Sequence, residues 1–213
     1  MSRSVSAAAV LVLACVGATA TTAAQERPRA RFGIGLGLTA PLGDYRADAS
    51  GEGFNAGWQG MGFMEFMRTG SHVGLRVDAM FGENPGNGQL NFDETGVDTY
   101  VRVKMRMLGG NLDVVYRFLR SLRGGRGYLL GGIGSYRVTR ASTFFGATNG
   151  FRGVAEGMSE TRFGWNAGGG LTYPVGGAPM FLEVRYFSIT NPLLSSGKAP
   201  FVAIVAGVRF GRG

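Results

Sequence analysis

The residues able to do acid–base, nucleophilic or metal chemistry are few in this 213-residue chain, which holds one histidine, His72, and one cysteine, Cys15. A transition-metal centre takes several imidazole or thiolate ligands, so no metal site is expected. No Ser, Asp or Glu stands in a spacing that would complete a nucleophilic triad, and no catalytic residue is assigned. The glycine runs GIGLG (Gly33 to Gly37) and GGIG (Gly131 to Gly134) look like phosphate cradles. A cradle, however, turns from a strand into a helix N-terminus, and these glycines lie inside strand-like segments. No cofactor is expected.

The chemistry left is electrostatic. Lys and Arg number 22 against 14 Asp and Glu, giving a net charge of +8 and a pI near 10.2. A basic excess draws phosphates, but the cations are scattered among Gly-rich apolar segments, with no Lys/Arg run and no zinc-finger or helix-turn-helix spacing. Nucleic acid is therefore not an expected partner, whereas lipid phosphates remain a candidate. Hydrophobic residues at 45% mark a chain that folds, while charged residues at 17% fall below the ~25% of soluble domains. Part of the surface should face something other than water.

Residues 1 to 24 have the build of a cleaved secretory signal: Arg3, an apolar stretch from Val5 to Val16, then GATATTAA before Gln25. The apolar part is too short to span a bilayer as a helix, and cleavage is expected after Ala20 or Ala24. Cys15 lies within it. Around it, LVLAC loosely matches a lipoprotein box, with bulky Leu13 a poor fit; the other reading is a residue discarded with the signal. Residues 25 to 213 form one domain.

Period-two alternation dominates that domain, the mark of strands with two unlike faces. Phe32, Ile34, Leu36 and Leu38 oppose Gly33, Gly35, Gly37 and Thr39. Val73, Leu75, Val77, Ala79 and Phe81 oppose His72, Gly74, Arg76 and Asp78. The same holds for Phe163, Trp165, Ala167, Leu171 and Tyr173, for Leu182, Val184 and Tyr186, and for Val202, Ile204, Ala206, Val208 and Phe210. Trp58, Met64 and Phe66 oppose Gln59 and Glu65. In GYLLGGIGSYRV either face serves as the apolar one. From Tyr100 to Leu119 the apolar parity slips, odd at Val101, Val103, Met105 and Met107 and even at Leu112, Val114, Tyr116 and Phe118. A bulge near Gly109 and Gly110 accounts for this, as does a strand whose upper half projects beyond a membrane.

The connections alternate long and short: 43 to 56, 68 to 71, 83 to 98, 120 to 127, 141 to 160, 175 to 179 and 191 to 199. Antiparallel neighbours then put every long loop at one end and every short turn at the other. That asymmetry belongs to outer-membrane barrels. A soluble barrel also alternates, yet a water-facing strand face has little use for glycine. A narrow lumen does, because glycine leaves room for large charged side chains. Aromatic residues near strand ends, Phe32, Trp58, Tyr116, Tyr128, Tyr173, Tyr186 and Phe210, would form interfacial girdles. The expected fold is all-β: an eight-stranded antiparallel up-and-down transmembrane β-barrel.

The segments from Phe32 to Tyr45, Phe181 to Phe187 and Ala206 to Phe210 resemble those of the small eight-stranded outer-membrane β-barrels of the OmpA/OmpX type. The resemblance covers the whole mature chain. It implies an integral protein of the outer membrane with both termini periplasmic. It also implies that Phe210, with Val208 on the same face, acts as the signal read by the barrel assembly machinery, here followed by Gly211, Arg212 and Gly213. Lipid A-modifying barrels, the nearest enzyme analogy, need a histidine at the extracellular end, whereas His72 follows the short turn RTGS at the other.

Eight charges share the inward parity: Glu65, Arg76, Asp78, Asp113, Arg117, Glu183, Arg185 and Arg209. Isolated charges in a narrow lumen are costly, so they should pair as a plug; the functional alternative is a switching path for small ions. Glu183 and Arg185 should share partners on the last two strands. Arg102, Lys104, Arg106, Arg137, Arg140 and Arg152, with Arg162, are expected at the outer-leaflet level, where they would meet lipopolysaccharide phosphates or pair with the acidic loops carrying Asp44, Asp48, Glu52, Glu83, Asp93, Glu94 and Asp98. Phe144, Phe145 and Phe151 would pack on the rim or meet another molecule. The role that follows is non-enzymatic, in envelope structure or surface contact. A narrow channel is the first alternative and a lipid-modifying enzyme the second.

Overall fold

Alternating apolar and polar side chains favour extended backbone, and nine strands form where the alternation runs. The computed structural model describes residues 29–47, 53–86, 89–92, 98–120, 125–146, 152–176, 178–190 and 198–211. The signal segment, its cleavage site, Cys15 and the acidic residues Asp48, Glu52, Asp93 and Glu94 lie outside them. In chain order the strands are β1 (Arg29–Pro41), β2 (Gly57–Met67), β3 (Val73–Pro85), β4 (Gln89–Phe92), β5 (Asp98–Arg120), β6 (Arg126–Gly146), β7 (Arg152–Val175), β8 (Ala178–Thr190) and β9 (Lys198–Phe210). All pairings are antiparallel between neighbours, and two contacts close the ring: β1 with β9 and β3 with β5. Strand β4 follows β3 along the same partner, with Pro85 opposite Lys104 and Gln89 opposite Val101. The two are one stave of the barrel, so nine strands make eight staves. Closure leaves no sheet edge to be desolvated in hydrocarbon.

The apolar face points outward. Leu36 is 71% exposed and Ile204 50%, while Gln59, Glu65, Arg76 and Glu183 inside the ring are at most 2% exposed. A 13-residue strand such as β1, rising ~3.3 Å per residue and tilted ~40°, spans about 30 Å, a bilayer's hydrocarbon thickness. Outward aromatics collect at both margins. Trp58 pairs with Phe81 at 5.4 Å and Trp165 with Tyr186 at 5.3 Å toward the loop end, and Tyr116 stacks on Phe118 toward the turn end. Tyr128 does not join them: it is 1% exposed and faces the lumen.

Strand β5 settles the two readings of its parity. Its pairing with β6 is unbroken from Thr99 to Arg117, with no bulge at Gly109 or Gly110; the register shifts only between Arg117 and Leu119. Even positions from Lys104 to Phe118 face outward, and Met105 and Met107 are buried in the lumen. The apparent slip arises because the outward face turns from Leu108 to Arg106 and Lys104 where the strand leaves the apolar band. Likewise the connection expected over 141 to 160 is mostly strand. β6 runs to Gly146 and β7 begins at Arg152, whereas β8 pairs with β7 only as far as Gly164. Strands β4 to β7 thus rise above the other staves as a protruding sheet.

The lumen glycines also differ from expectation. A side chain at Gly33 would strike the Phe63 ring, one at Gly109 the Tyr136 ring and one at Gly170 the Tyr128 ring. They make room for rings more than for charges. The turns at Gly70 (φ +76°) and Gly176 (φ +57°) use the left-handed backbone that glycine adopts freely.

Ile204 lies mid-strand on the outer face, opposite Leu38 and Val184. Ile204→Arg is expected to impair assembly by roughly 2–4 kcal/mol, the penalty for a cation at the bilayer midplane. Loss of the folded band in unheated gel samples checks this, and normal insertion would refute the face assignment.

Candidate functional site

An eight-stranded barrel is just wide enough to be filled by its inward side chains, so the lumen is where this chain concentrates its buried polar chemistry. The network centres on Glu183 of β8. Its carboxylate accepts from Arg76 Nη1 at 2.6 Å, Tyr128 Oη at 2.8 Å and Arg185 Nη2 at 2.8 Å. Arg185 Nη1 donates to Asp78 Oδ2 at 2.8 Å and stands 3.2 Å from Asp113 Oδ2. Asn111 donates to Asp78 at 2.6 Å and Asn166 to Asp113 at 2.9 Å. Glu183 and Arg185 therefore find partners across the lumen on β3, β5 and β6, besides each other, instead of on the adjoining last strands. Facing staves approach closely in so narrow a ring.

A second cluster lies toward the short turns. Glu65 of β2 is bonded by Arg117 of β5 and by Arg209 Nη2 of β9 at 3.0 Å, with Arg31 of β1 at 4.0 Å. Arg209 also donates to Thr172 Oγ1 at 3.1 Å. Rings bracket the ions: the Arg76 guanidinium sits 3.7 Å over Phe63, and Phe63 meets Phe181 edge to face at 5.4 Å. Cation–π contacts of this kind strengthen when desolvated.

Toward the long loops the filling turns apolar. Met80, Met105, Met107, Val138, Phe187, Ile189 and Phe201 pack with Tyr136, whose hydroxyl bonds Asn111. The first loop folds inward over them: Tyr45 and Phe54 are buried, and Tyr45 lies 6.2 Å from Phe201. Asn84 holds this cover by donating to the Thr39 and Asn55 carbonyls, each at 3.0 Å.

All eight charges of inward parity thus meet inside the ring. The alternation pattern missed Arg31, Asn111, Tyr128, Tyr136 and Asn166, although each shares its strand's glycine-bearing inward face, which was the available signal. Of the outer cations, Lys104 and Arg106 both bond Glu83, at 2.6 and 3.1 Å, and Lys104 holds the Glu83 carboxyl below its ordinary range. Arg137 donates to Ser159 at 2.8 Å, Arg162 pairs with Glu160 at 2.7 Å, and Arg140 is exposed. The side chains of Arg102, Arg152, Asp44, Asp98, Phe144 and Phe145, and residue Phe151, lie outside the described set. Val208 and Phe210 face outward at the turn end, with Phe210 opposite Phe32. His72 stands on the first turn, its Nδ1 2.9 Å from the Arg117 carbonyl. Among the described residues no group of His, Cys, Asp or Glu is arranged to hold a metal ion.

A closed eight-stave barrel with a lipid-facing outer surface matches what sequence comparison finds: the profile of the outer membrane protein beta-barrel domain fits residues 8–210. The chain belongs to that family. It is an integral protein of the outer membrane. Among solved structures, neisserial surface protein A is similar at 14% identity, with a TM-score of 0.53 over 86% of this chain and 97% of that one. A major outer membrane protein from Thermus thermophilus gives 12%, 0.49, 85% and 99% for the same quantities. The N-terminal barrel domain of Pseudomonas aeruginosa OprF gives 15%, 0.43, 86% and 99%. At such identities the fold is what is shared. No curated protein matches the sequence.

Removing one partner of a buried ion pair typically costs 3–5 kcal/mol. Glu183→Gln, which strips the shared carboxylate from Arg76 and Arg185, is expected to destabilise the barrel by about that amount in urea unfolding from lipid bilayers. Glu160→Gln, whose ion pair with Arg162 is largely exposed, should change stability by less than about 1 kcal/mol.

Proposed function

We propose that the protein is a non-enzymatic outer-membrane barrel, with both termini and the short turns in the periplasm, that serves envelope integrity or surface contact through its loop end. One observation carries this reading: the lumen is occupied through its middle and its loop-end half. Buried ion pairs fill its middle, Met, Phe and Tyr side chains fill its loop-end half, and the first loop covers the mouth. A narrow channel would have to move Tyr45, Phe54 and Phe201 and then break pairs that leave charges unpaired in a dry interior. A lipid-modifying enzyme would need acid–base chemistry at the outer leaflet, and in this orientation His72 is on the opposite side of the membrane.

Contact with lipopolysaccharide is part of the proposal. Arg106 on β5 and Arg137 on β6 point outward where the apolar band ends at Leu108, and Arg106 and Lys104 share a single carboxylate, so positive charge is left over at the level of the lipid phosphates. During biogenesis the outward pair Val208 and Phe210 would be presented to the barrel assembly machinery.

Reconstituted in planar bilayers, the protein is expected to show no steady single-channel conductance; reproducible openings would establish the channel instead. Arg106→Gln combined with Arg137→Gln should weaken lipopolysaccharide binding in nanodiscs about tenfold, given what charge-assisted hydrogen bonds contribute. Unchanged binding would remove that contact from the proposal.

A further inference from the structure

At the turn end the lumen opens into a cavity of about 400 Å³ lined by Arg29, Arg31, Arg68, Arg117 and Arg126, continuous in its lining with a second of about 240 Å³ that adds Arg209. Six guanidinium groups converge there from β1, β5, β6, β9 and the first turn. The inward parity of their strands places five of them: Arg29 and Arg31 precede Gly33 on β1, Arg126 precedes Tyr128 on β6, and Arg117 and Arg209 continue the inward rows of β5 and β9.

Among the described residues the acid that meets Arg31, Arg117 and Arg209 is Glu65. Its one carboxylate is shared by Arg117, Arg209 and Arg31, and four acceptor sites cannot serve three forks of five donors each. Among the donors left over, three lie buried in the cavity walls. Arg31 Nη1, Arg117 Nε and Arg209 Nε are buried with no hydrogen-bond partner, and the Arg209 side chain is only 4% exposed. Like charges gathered around one carboxylate are costly in a desolvated setting, and an oxyanion in the cavity relieves their repulsion. A monocarboxylate would occupy one fork and repeat what Glu65 already does. A phosphate group brings more acceptor oxygens and up to two negative charges, and its geometry suits several guanidinium forks at once.

We propose that this turn-end vestibule is a phosphate-binding site, with Arg31, Arg117 and Arg209, gathered on Glu65, as its floor and Arg29, Arg68 and Arg126 as its rim. In the orientation proposed above it opens to the periplasm, but the binding chemistry does not depend on that orientation. The phosphate is carried either by a soluble molecule entering along the barrel axis or by an anionic lipid headgroup reaching over the rim.

The test uses the protein in phosphatidylcholine nanodiscs at low salt, titrated calorimetrically with inorganic phosphate and pyrophosphate. Saturable binding is expected, weakening as salt is raised. Arg68→Gln with Arg126→Gln, which leaves the Glu65 cluster intact, should weaken it about tenfold. Arg46→Gln, which removes an exposed cation of the first loop at the opposite end, should not, and unheated gel mobility reports that each variant is folded. Should the double variant fail to fold, Arg126→Gln alone is measured in its place. Nanodiscs with phosphatidylglycerol distinguish the source: binding of phosphate unaffected by that lipid assigns a soluble ligand, and competition by it assigns a headgroup. Absence of binding by either anion up to roughly 1 mM, with no phosphatidylglycerol retained on the folded protein, would overturn the site. So would affinity undiminished in the rim variant.

Discussion

A ring of eight antiparallel staves encloses a space no wider than the side chains that point into it, and everything else in this molecule follows from having to fill that space. The outer face is surrendered to lipid, so polar groups are confined to the inside, where each must find a partner across a few ångströms. The Arg76–Glu183–Arg185 arrangement meets this demand by letting one carboxylate serve two guanidinium groups and the Tyr128 hydroxyl. Asp78 and Asp113 take up what is left of Arg185. Glycines on the same faces are the other half of the solution, since the rings of Phe63, Tyr128 and Tyr136 lie where their side chains would be.

The filling is graded along the barrel axis. Toward the long loops it is aromatic and sulfur-rich and closed over by Tyr45 and Phe54; in the middle it is ionic, with cations paired to carboxylates; toward the short turns it is cationic and open. These ends serve different chemistry. The apolar end is a rigid base for the protruding sheet of β4 to β7, whose outward Arg106 and Arg137 stand just above the lipid-facing band. The cationic end is open, and the six guanidinium groups that line it around one described carboxylate set it apart from the paired ions of the plug.

Neisserial surface protein A shares this architecture across most of both chains at 14% identity. Such divergence is compatible with one fold because alternation constrains only which class of residue stands at each parity: any apolar side chain satisfies lipid, and any complementary set of inward residues fills the ring. What a given barrel does therefore depends on its ends and on the details of its filling.

Alternation and loop lengths alone made the strand count, the closure and the outward rows legible in the sequence, because a period of two with glycine on the polar face has few physical explanations. The inward set Glu65, Arg76, Asp78, Asp113, Arg117, Glu183, Arg185 and Arg209 was legible for the same reason. Parity says which way a residue points and nothing about what it meets. That Tyr128 bonds Glu183 instead of joining the girdle, that Glu183 reaches β3 instead of the neighbouring strands, and that Arg31 and Arg126 converge with four other arginines were decided only by closure of the ring. Residues separated by more than a hundred positions, such as Arg76 and Glu183, become hydrogen-bonded neighbours through the curvature and stagger of the wall, and no local pattern in the chain encodes those.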